Sequence, residues 1–450
     1  MKRFIAALLF LLASLHLATA QSAEGYKNLA PYRSEIVTFS TRNLAEKGDR
    51  SADKFYLDLE HRLTETVTNS DGSKSLTYEV ELPLIWRDRV VFLHTEGGAN
   101  SRTVSVNGKE VGCCKDEYAP SEFAISPYLN DGPTKIVITY DNSDRRPAEM
   151  VADNQARITN FIYSQPPIRI HDVVVEAVPS ENNQHGVLNI DVVIASSRRA
   201  PEQVSVGYDI YSPEKELKYY DIREAVATGV GTLDTLHFQT NIYGAMERLW
   251  SAESPKLYDV TLYVKHNRII TEYLNIKVGF GRTSHDGERI YRNGKAIDIK
   301  PAYYNAAETA KITEADIKRL KKEGKNTILV DYPQPWWFYD ICDRVGIYVV
   351  DQANINTDDK GGDMSLSGTL ANNPAWLGEF VQRQQATWWR SRRHPSVIAY
   401  SLGGPSGSGY NMYKCYEWFK SVEKDRPVIY GDGDWNTDLE IQNSKLKLPL

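Results

Sequence analysis

Residues 312–351 read ITEADIKRLKKEGKNTILVDYPQPWWFYDICDRVGIYVVD, and their rhythm decides the fold class of the chain's second half. Ile317 and Leu320 fall at helical spacing within Ile312–Lys322, and Thr313 followed by Asp316 three residues on resembles a capping box. Thr327–Val330 is then a short apolar run of the kind that makes a strand buried on both faces. A second helix is expected over Trp336–Val345, and Ile347–Val350 repeats the buried strand. Working outward, a third helix over Pro374–Arg393 leads into Val397–Leu402, with further strands expected at Ala296–Lys300, Val428–Tyr430 and Leu439–Gln442. Helices that alternate with buried strands specify a parallel α/β arrangement, in which the polar residues just after each strand gather at one end.

Upstream of about residue 282 the rhythm is different. From 25 to 178 short alternating runs (Phe55–Leu59, Leu76–Val80, Val90–Leu93, Thr103–Val106, Lys135–Tyr140 and Val173–Val178) are separated by turns, and Asn107-Gly108 is a hairpin signal. From 179 to 281 come Leu188–Val193, Val204–Ile210, Leu257–Val264 and Tyr273–Val278, a length suited to one immunoglobulin-like sandwich. The expected organisation is a leader over 1–20, a β-sandwich over 25–178, a second sandwich over 179–281 and an α/β unit over 282–450.

A length of 450 residues fits about two to four domains, and 41% hydrophobic with 25% charged residues is an ordinary globular composition. The net charge of −6 excludes a basic nucleic-acid-binding surface as the chain's main business. Lys2 and Arg3, the apolar run Phe4–Leu12 and the small residues Ala18-Thr19-Ala20 have the layout of a secretory signal, so the mature chain is expected to be exported, periplasmic or secreted. Cleavage after Ala20 would leave Gln21 first, so no lipid anchor is expected, and no later run is long enough to span a bilayer. The four cysteines, Cys113, Cys114, Cys342 and Cys415, have no zinc or redox spacing and imply no disulfide framework.

These pieces, in order, resemble glycoside hydrolase family 2, the β-galactosidase and β-glucuronidase group. The resemblance is carried by Val104–Gly112 with Pro120–Phe123 and Ser126–Leu129, by Leu249–Pro255 with Leu257-Tyr258, by Val278-Gly279-Phe280, by Tyr332-Pro333 and Tyr339–Asp351, and by His394–Ile398. It implies a jelly-roll β-sandwich of sugar-binding type, an immunoglobulin-like β-sandwich and an incomplete (β/α)8 barrel of TIM type.

The same resemblance locates the chemistry, and there the sequence departs from the family. Retaining glycosidases need two carboxyl groups about 5 Å apart. Where the family's acid/base Glu would follow Asn, this chain reads Gly404-Pro405, and proline has no proton to transfer. The phrase whose second Glu and His serve a metal in many members appears as Asp351–Asp358, leaving Asn356 and Asp358 as oxygen donors that would take Mg2+ or Ca2+ weakly. Asn305 stands where a His is expected, and Ile328–Asp331 replaces an Arg, Ser, His run. The nucleophile belongs to a seventh barrel strand, whereas this chain is expected to reach only the sixth, and Glu440 is a poor substitute.

The resulting expectation is an exported, catalytically inactive homologue that binds carbohydrate or an envelope protein. Its candidate sugar-binding residues are Asp331, Trp336, Trp337, Tyr400, Asp432 and Trp435. One alternative is an active hydrolase with relocated carboxylates, drawn from Asp331, Asp351, Asp358, Asp432 and Asp434; another is a structural module of the cell envelope. No cofactor is expected, and the open barrel edge should be covered by the terminal segment, the middle sandwich, an oligomeric copy or a partner.

Overall fold

The computed structural model describes residues 35–99, 101–141, 157–357, 365–433 and 436–439. The expected leader over 1–20, Asp358, Asp434, Trp435 and Glu440 lie outside the described residues. The first unit is a sandwich of β1 (Tyr56–Asp58), β2 (Leu63–Thr68), β3 (Lys74–Val80), β4 (Val90–Glu96), β5 (Ser101–Val106), β6 (Lys109–Cys114), β7 (Ser121–Ala124), β8 (Thr134–Asp141) and β9 (Thr159–Gln165). Its two sheets run β1-β9-β4-β7 and β2-β3-β8-β5-β6. Asn107 and Gly108 have φ of 50° and 77°, the left-handed pair that a tight hairpin needs, and they join β5 to β6.

The second sandwich holds β10 (Ile168–Pro179), β11 (Gly186–Ser196), β12 (Glu202–Tyr211), β13 (Leu217–Ala227), β14 (Leu233–Ile242), β15 (Tyr258–His266) and β16 (Ile269–Val278). The sheets are β10-β11-β14 and β13-β12-β15-β16, and strict alternation sends Ile190, Val192, Val206, Tyr208, Val260 and Leu262 into one core. A short helix, α1 (Arg42–Lys47), lies on the β15–β16 side, tied down by Arg42 to Asp209 and by the bridge of Phe39 to Tyr273.

A small hairpin sheet of β17 (Thr283–His285), β18 (Ile290–Arg292) and β19 (Lys295–Ala296) leads into five parallel strands, β20 (Pro301–Tyr303), β21 (Thr327–Leu329), β22 (Tyr348–Gln352), β23 (Val397–Ser401) and β24 (Val428–Ile429). They pair in sequence order and alternate with α2 (Ala310–Lys322), α3 (Trp336–Val345), α4 (Leu377–Ser391) and α5 (Tyr410–Val422). This is an incomplete TIM-type barrel: five strands of the eight that close one, among the described residues. No helix of the described residues is long and apolar enough to cross a membrane.

Several local expectations shift. The strand expected over Ala296–Lys300 does not form: Ala296 ends β19, residues 297–300 are in no strand, and the edge strand β20 starts only at Pro301, a first-residue position that tolerates a missing donor. The cap of α2 is Thr309, whose Oγ1 accepts the Ile312 N–H at 3.3 Å; Thr313 is buried inside the helix and accepts the Ala307 N–H at 2.9 Å. Pro374–Trp376 is a 3-10 turn ahead of α4, and Leu439 is not in a strand.

The inner face of the open sheet is covered by its neighbours. Leu329, Tyr348, Val350, Ile398 and Ile429 pack with Trp250 and Ala252 from the end of the second sandwich, with Ile290 from the hairpin sheet, and with Leu439 from the terminal segment. Asp438 meets the edge of β24: its N–H donates to the Val428 carbonyl at 2.7 Å, and its Oδ2 accepts the Val428 N–H at 2.8 Å. Of the covers expected for the open edge, the terminal segment meets β24 through Asp438, whereas the second sandwich packs on the inner face.

The first sandwich docks on one face of α4, where Arg383, Ala386 and Arg390 recur at helical spacing. Arg383 donates to the carbonyls of Asn354 at 2.7 Å and Lys115 at 3.0 Å, and Asn354 Nδ2 donates to Asp116 Oδ1 at 2.9 Å. Arg390 makes a two-pronged pair with Glu96 at 2.8 and 3.0 Å and faces Glu35 at 3.6 Å. Burial pushes Glu96 up, yet Arg390 and His94 outweigh it and hold the carboxyl at about 2; burial likewise opposes charge on His94, but Glu122 and Glu96 raise it to about 9.

Candidate functional site

Parallel strands deliver the residues that follow them to one rim. Here that rim carries Asn305 after β20, Asp331 after β21, Gln352 at the end of β22, Ser401 at the end of β23 and Asp432 after β24. The polar groups are bonded mainly to each other. Asn305 Nδ2 donates to Asp331 Oδ2 at 2.8 Å, and the Asp331 N–H returns to Asn305 Oδ1 at 3.0 Å. Gln352 Nε2 donates to the Asp331 carbonyl at 3.0 Å, and Ser401 Oγ donates to Gln352 Oε1 at 3.0 Å. Gln334, fully buried, ties Asn305 Oδ1, the Tyr332 carbonyl and the Ala306 N–H into the same ladder.

The loops after β22 and β23 are locked together. Gly403 has φ of 150°, and a Cβ there would sit 2.5 Å from the Ile355 carbonyl oxygen, so only glycine fits. Gly404 donates its N–H to that oxygen at 2.7 Å, and a Cβ on Gly404 would come within 3.1 Å of Asn356 Cγ. Pro405 follows, half-buried in the loop. Asp432 Oδ2 then accepts the N–H groups of Ser406 at 3.0 Å and Gly407 at 2.9 Å, so this carboxylate anchors backbone. Asp331 and Asp432 therefore both reach the rim, each held by its own loop.

Three other expected residues are placed elsewhere. Tyr400 is fully buried on the helix side of the sheet beside Phe419, with Arg426 over its ring, and offers no stacking face; a strand buried on both faces hides which side is the lumen. Trp336 lies under Arg50 of the segment before the first sandwich, and Trp337 packs against the helix-side core. Asp351 also faces the helices, opposite Tyr400 in register, and accepts the Tyr339 hydroxyl at 2.9 Å.

Burial raises Asp351 to about 6, against the opposing effects of hydrogen bonds from Ser391 and Tyr339 and of nearby Arg390. A carboxyl raised in the fold stabilises while it is neutral: its contribution is full below its ordinary value and is lost as pH rises through about 6. Asp351→Asn should therefore gain stability relative to the unsubstituted chain as pH goes from 4 to 8, by on the order of 1–3 kcal/mol. Urea unfolding midpoints across that range measure it, and a constant difference would refute the assignment.

Sequence reading missed Tyr303, 55% exposed and in register with lumen-facing Leu329, as well as the stack of Tyr118 on Tyr332, with ring centroids 3.6 Å apart. Tyr118 comes from a loop of the first sandwich, and no local pattern announces a contact across more than 200 residues. Tyr303 could have been found from its place at the end of β20.

Of the donors expected for Mg2+ or Ca2+, Asp358 lies outside the described residues and Asn356 lies beside Gly404, where an added Cβ would come within 3.1 Å of its Cγ. Asp340, Asp343 and His394 do converge, but His394 Nδ1 bonds Asp343 Oδ2 at 2.6 Å and the Ser396 N–H bonds Asp343 Oδ1 at 3.0 Å. That trio fastens the turn before β23 to α3.

Two family models match the chain: glycosyl hydrolases family 2 over residues 168–280, and the TIM barrel domain of glycosyl hydrolases family 2 over 305–447. A β-galactosidase of Streptococcus thermophilus is 30% identical over 370 residues, covering 78% of this chain and 34% of that protein. A β-galactosidase of Pseudoalteromonas haloplanktis is 30% identical over 374 residues, covering 79% and 34%. The crystal structure of Bacteroides uniformis β-glucuronidase superposes with a TM-score of 0.69 at 17% identity, covering 80% of this chain and 46% of that one. Parabacteroides merdae β-glucuronidase gives 0.66 at 17% identity, covering 83% and 51%. The chain spans about a third of the length of the curated relatives it matches.

Proposed function

Since the chain belongs to glycosyl hydrolases family 2, we propose that it is a non-hydrolytic member which binds carbohydrate at the rim of its open barrel. The observation that carries this reading is Gly404-Pro405 in the place of the family's amide and acid. General acid catalysis needs a titratable group within hydrogen-bond reach of the leaving oxygen, and proline supplies none. Asp331 and Asp432 do not substitute freely, because each already accepts hydrogen bonds from its own surroundings.

What remains suits binding. Tyr303 presents an exposed ring at the end of β20, and Asn305 and Gln352 are half-exposed at the same rim, each amide nitrogen using one of its two N–H groups on Asp331; ring faces together with neutral donors are the usual way a protein holds sugar C–H faces and hydroxyls. The leader pattern of residues 1–20 supports a place outside the cytoplasm.

The purified chain should release no nitrophenol above blank from nitrophenyl β-galactoside or β-glucuronide. It should give a calorimetric binding signal with galactose, lactose or glucuronate that Tyr303→Ala removes. Turnover that Asp331→Asn abolishes would overturn the non-hydrolytic reading; binding unchanged in Tyr303→Ala would overturn the rim as the site.

A further inference from the structure

The second sandwich leaves one long edge uncovered. Strand β13 runs for eleven residues at the margin of the sheet β13-β12-β15-β16, and no strand among the described residues pairs with its outer side. From Tyr219 to Ala227 its register with β12 is unbroken, with no proline or glycine. Soluble proteins usually blunt such an edge by shortening it, bulging it, placing proline in it or charging it, because unpaired N–H and C=O groups are a template for another strand. Strand β13 uses only charge, through Lys218, Asp221, Arg223 and Glu224, so it excludes a strand that sets like charges opposite these but not one that pairs them. Here the edge also exposes Leu217, Tyr219, Tyr220, Ile222 and Val226.

Which strand fits can be worked out from the register. A two-fold axis normal to the sheet allows only alignments in which one residue lies opposite itself, since any other would set outward side chains against inward ones. Centring on Asp221, Arg223 or Glu224 places like charges face to face. Centring on Ile222 places Asp221 opposite Arg223 twice, Tyr220 opposite Glu224, Tyr219 opposite Ala225 and Lys218 opposite Val226, with no like-charge pair.

The two faces of the strand agree with this. Tyr219, Asp221 and Arg223 share the inward side with Ile210, Tyr208 and Val206, and Arg223 reaches across to the His237 carbonyl of β14 at 2.5 Å. Tyr220, Ile222 and Val226 lie on the outward side, where Tyr220 is 67% and Ile222 45% exposed. We infer that two copies of this chain associate through β13, antiparallel about Ile222, to make one continuous eight-stranded sheet.

The inference concerns a surface remote from the barrel rim and stands apart from any sugar binding. Light scattering coupled to size exclusion, over a range of concentrations of the full chain, should show a monomer of 51.0 kDa in equilibrium with twice that mass. Ile222→Lys, which sets two ammonium groups on the axis of an already exposed position, should weaken dimerisation about tenfold or more. Ile85→Lys, at a position 56% exposed on the first sandwich, should leave it unchanged. Asp221→Arg should weaken it, and adding Arg223→Asp should restore it. A monomer at every concentration, or a dimer indifferent to Ile222→Lys, would overturn the proposal.

Discussion

Arg390→Met should lower the free energy of unfolding by about 3–5 kcal/mol, the range for removing one partner of a buried ion pair. The substitution fills much of the same space but leaves Glu96 without its guanidinium, and Glu35 with Arg50 alone at 3.1 Å, in the seam between the first sandwich and α4. His94, held at 3.6 Å from Glu96 and also facing Glu122, would then be the cation left to Glu96. Denaturant unfolding measures the loss. Adding Glu96→Gln should recover part of it, because the second change removes the stranded charge, and a double-mutant cycle reads the coupling. A loss under about 1 kcal/mol would mean that water reaches the pair and screens it as at a surface.

Trp250→Ala should cost about 3–5 kcal/mol, as expected for a fully buried Trp replaced by Ala. The indole is the joint between three units. Its Nε1 donates to the Asp343 carbonyl at 2.9 Å in α3, its ring meets Tyr348 edge-on at 5.9 Å, and Arg292 of the hairpin sheet lies 5.1 Å above it. Arg292 is itself buried, which lowers it to about 10, so losing the ring deprives a poorly solvated cation of its partner. The backbone of Trp250 remains bonded to Phe280 and Arg292, so the variant should still fold at low temperature. Thermal unfolding should then show the barrel separating from the second sandwich; one cooperative transition with a midpoint unchanged to within about 1 °C would refute the joint.

How much of this was legible follows from the range of each signal. Hydrophobic periodicity is local, so α3 came out at Trp336–Val345 and the expected runs coincide with β1, β3, β4, β5, β8, β10, β11, β12, β15 and β16; β2, β6, β7, β9, β13 and β14 had no expected counterpart, and Val173–Val178, expected in the first sandwich, lies in β10 of the second. Helix α5 was missed although Met412, Cys415, Tyr416 and Phe419 have the right spacing; Gly409 gives it no side-chain cap, and the capping signal was absent where the periodic one was present. Thr309 and Thr313 both look like caps, and only the chain's path from β20 decides between them. The rim was partly legible. The motif alignment brought Asn305, Asp331, Asn356 and Pro405 to one end of the sheet, but it could not separate lumen from helix side for Asp351 and Tyr400. Tyr118, Asp116 and Lys115 reach the barrel from the first sandwich, and nothing in their neighbourhood of sequence foretells it.

The pairing of Glu96 with Arg390 spans 294 positions of the chain. A ribosome adding about 5–20 residues per second therefore exposes the carboxylate roughly 15 to 60 seconds before its guanidinium exists. During that interval the nascent first sandwich must keep Glu96 and Asp116 hydrated on what will become the seam, whereas Glu35 already has Arg50 within reach. Early compaction is thus confined to its own two sheets, and docking onto the barrel waits for the arginines of α4 to emerge.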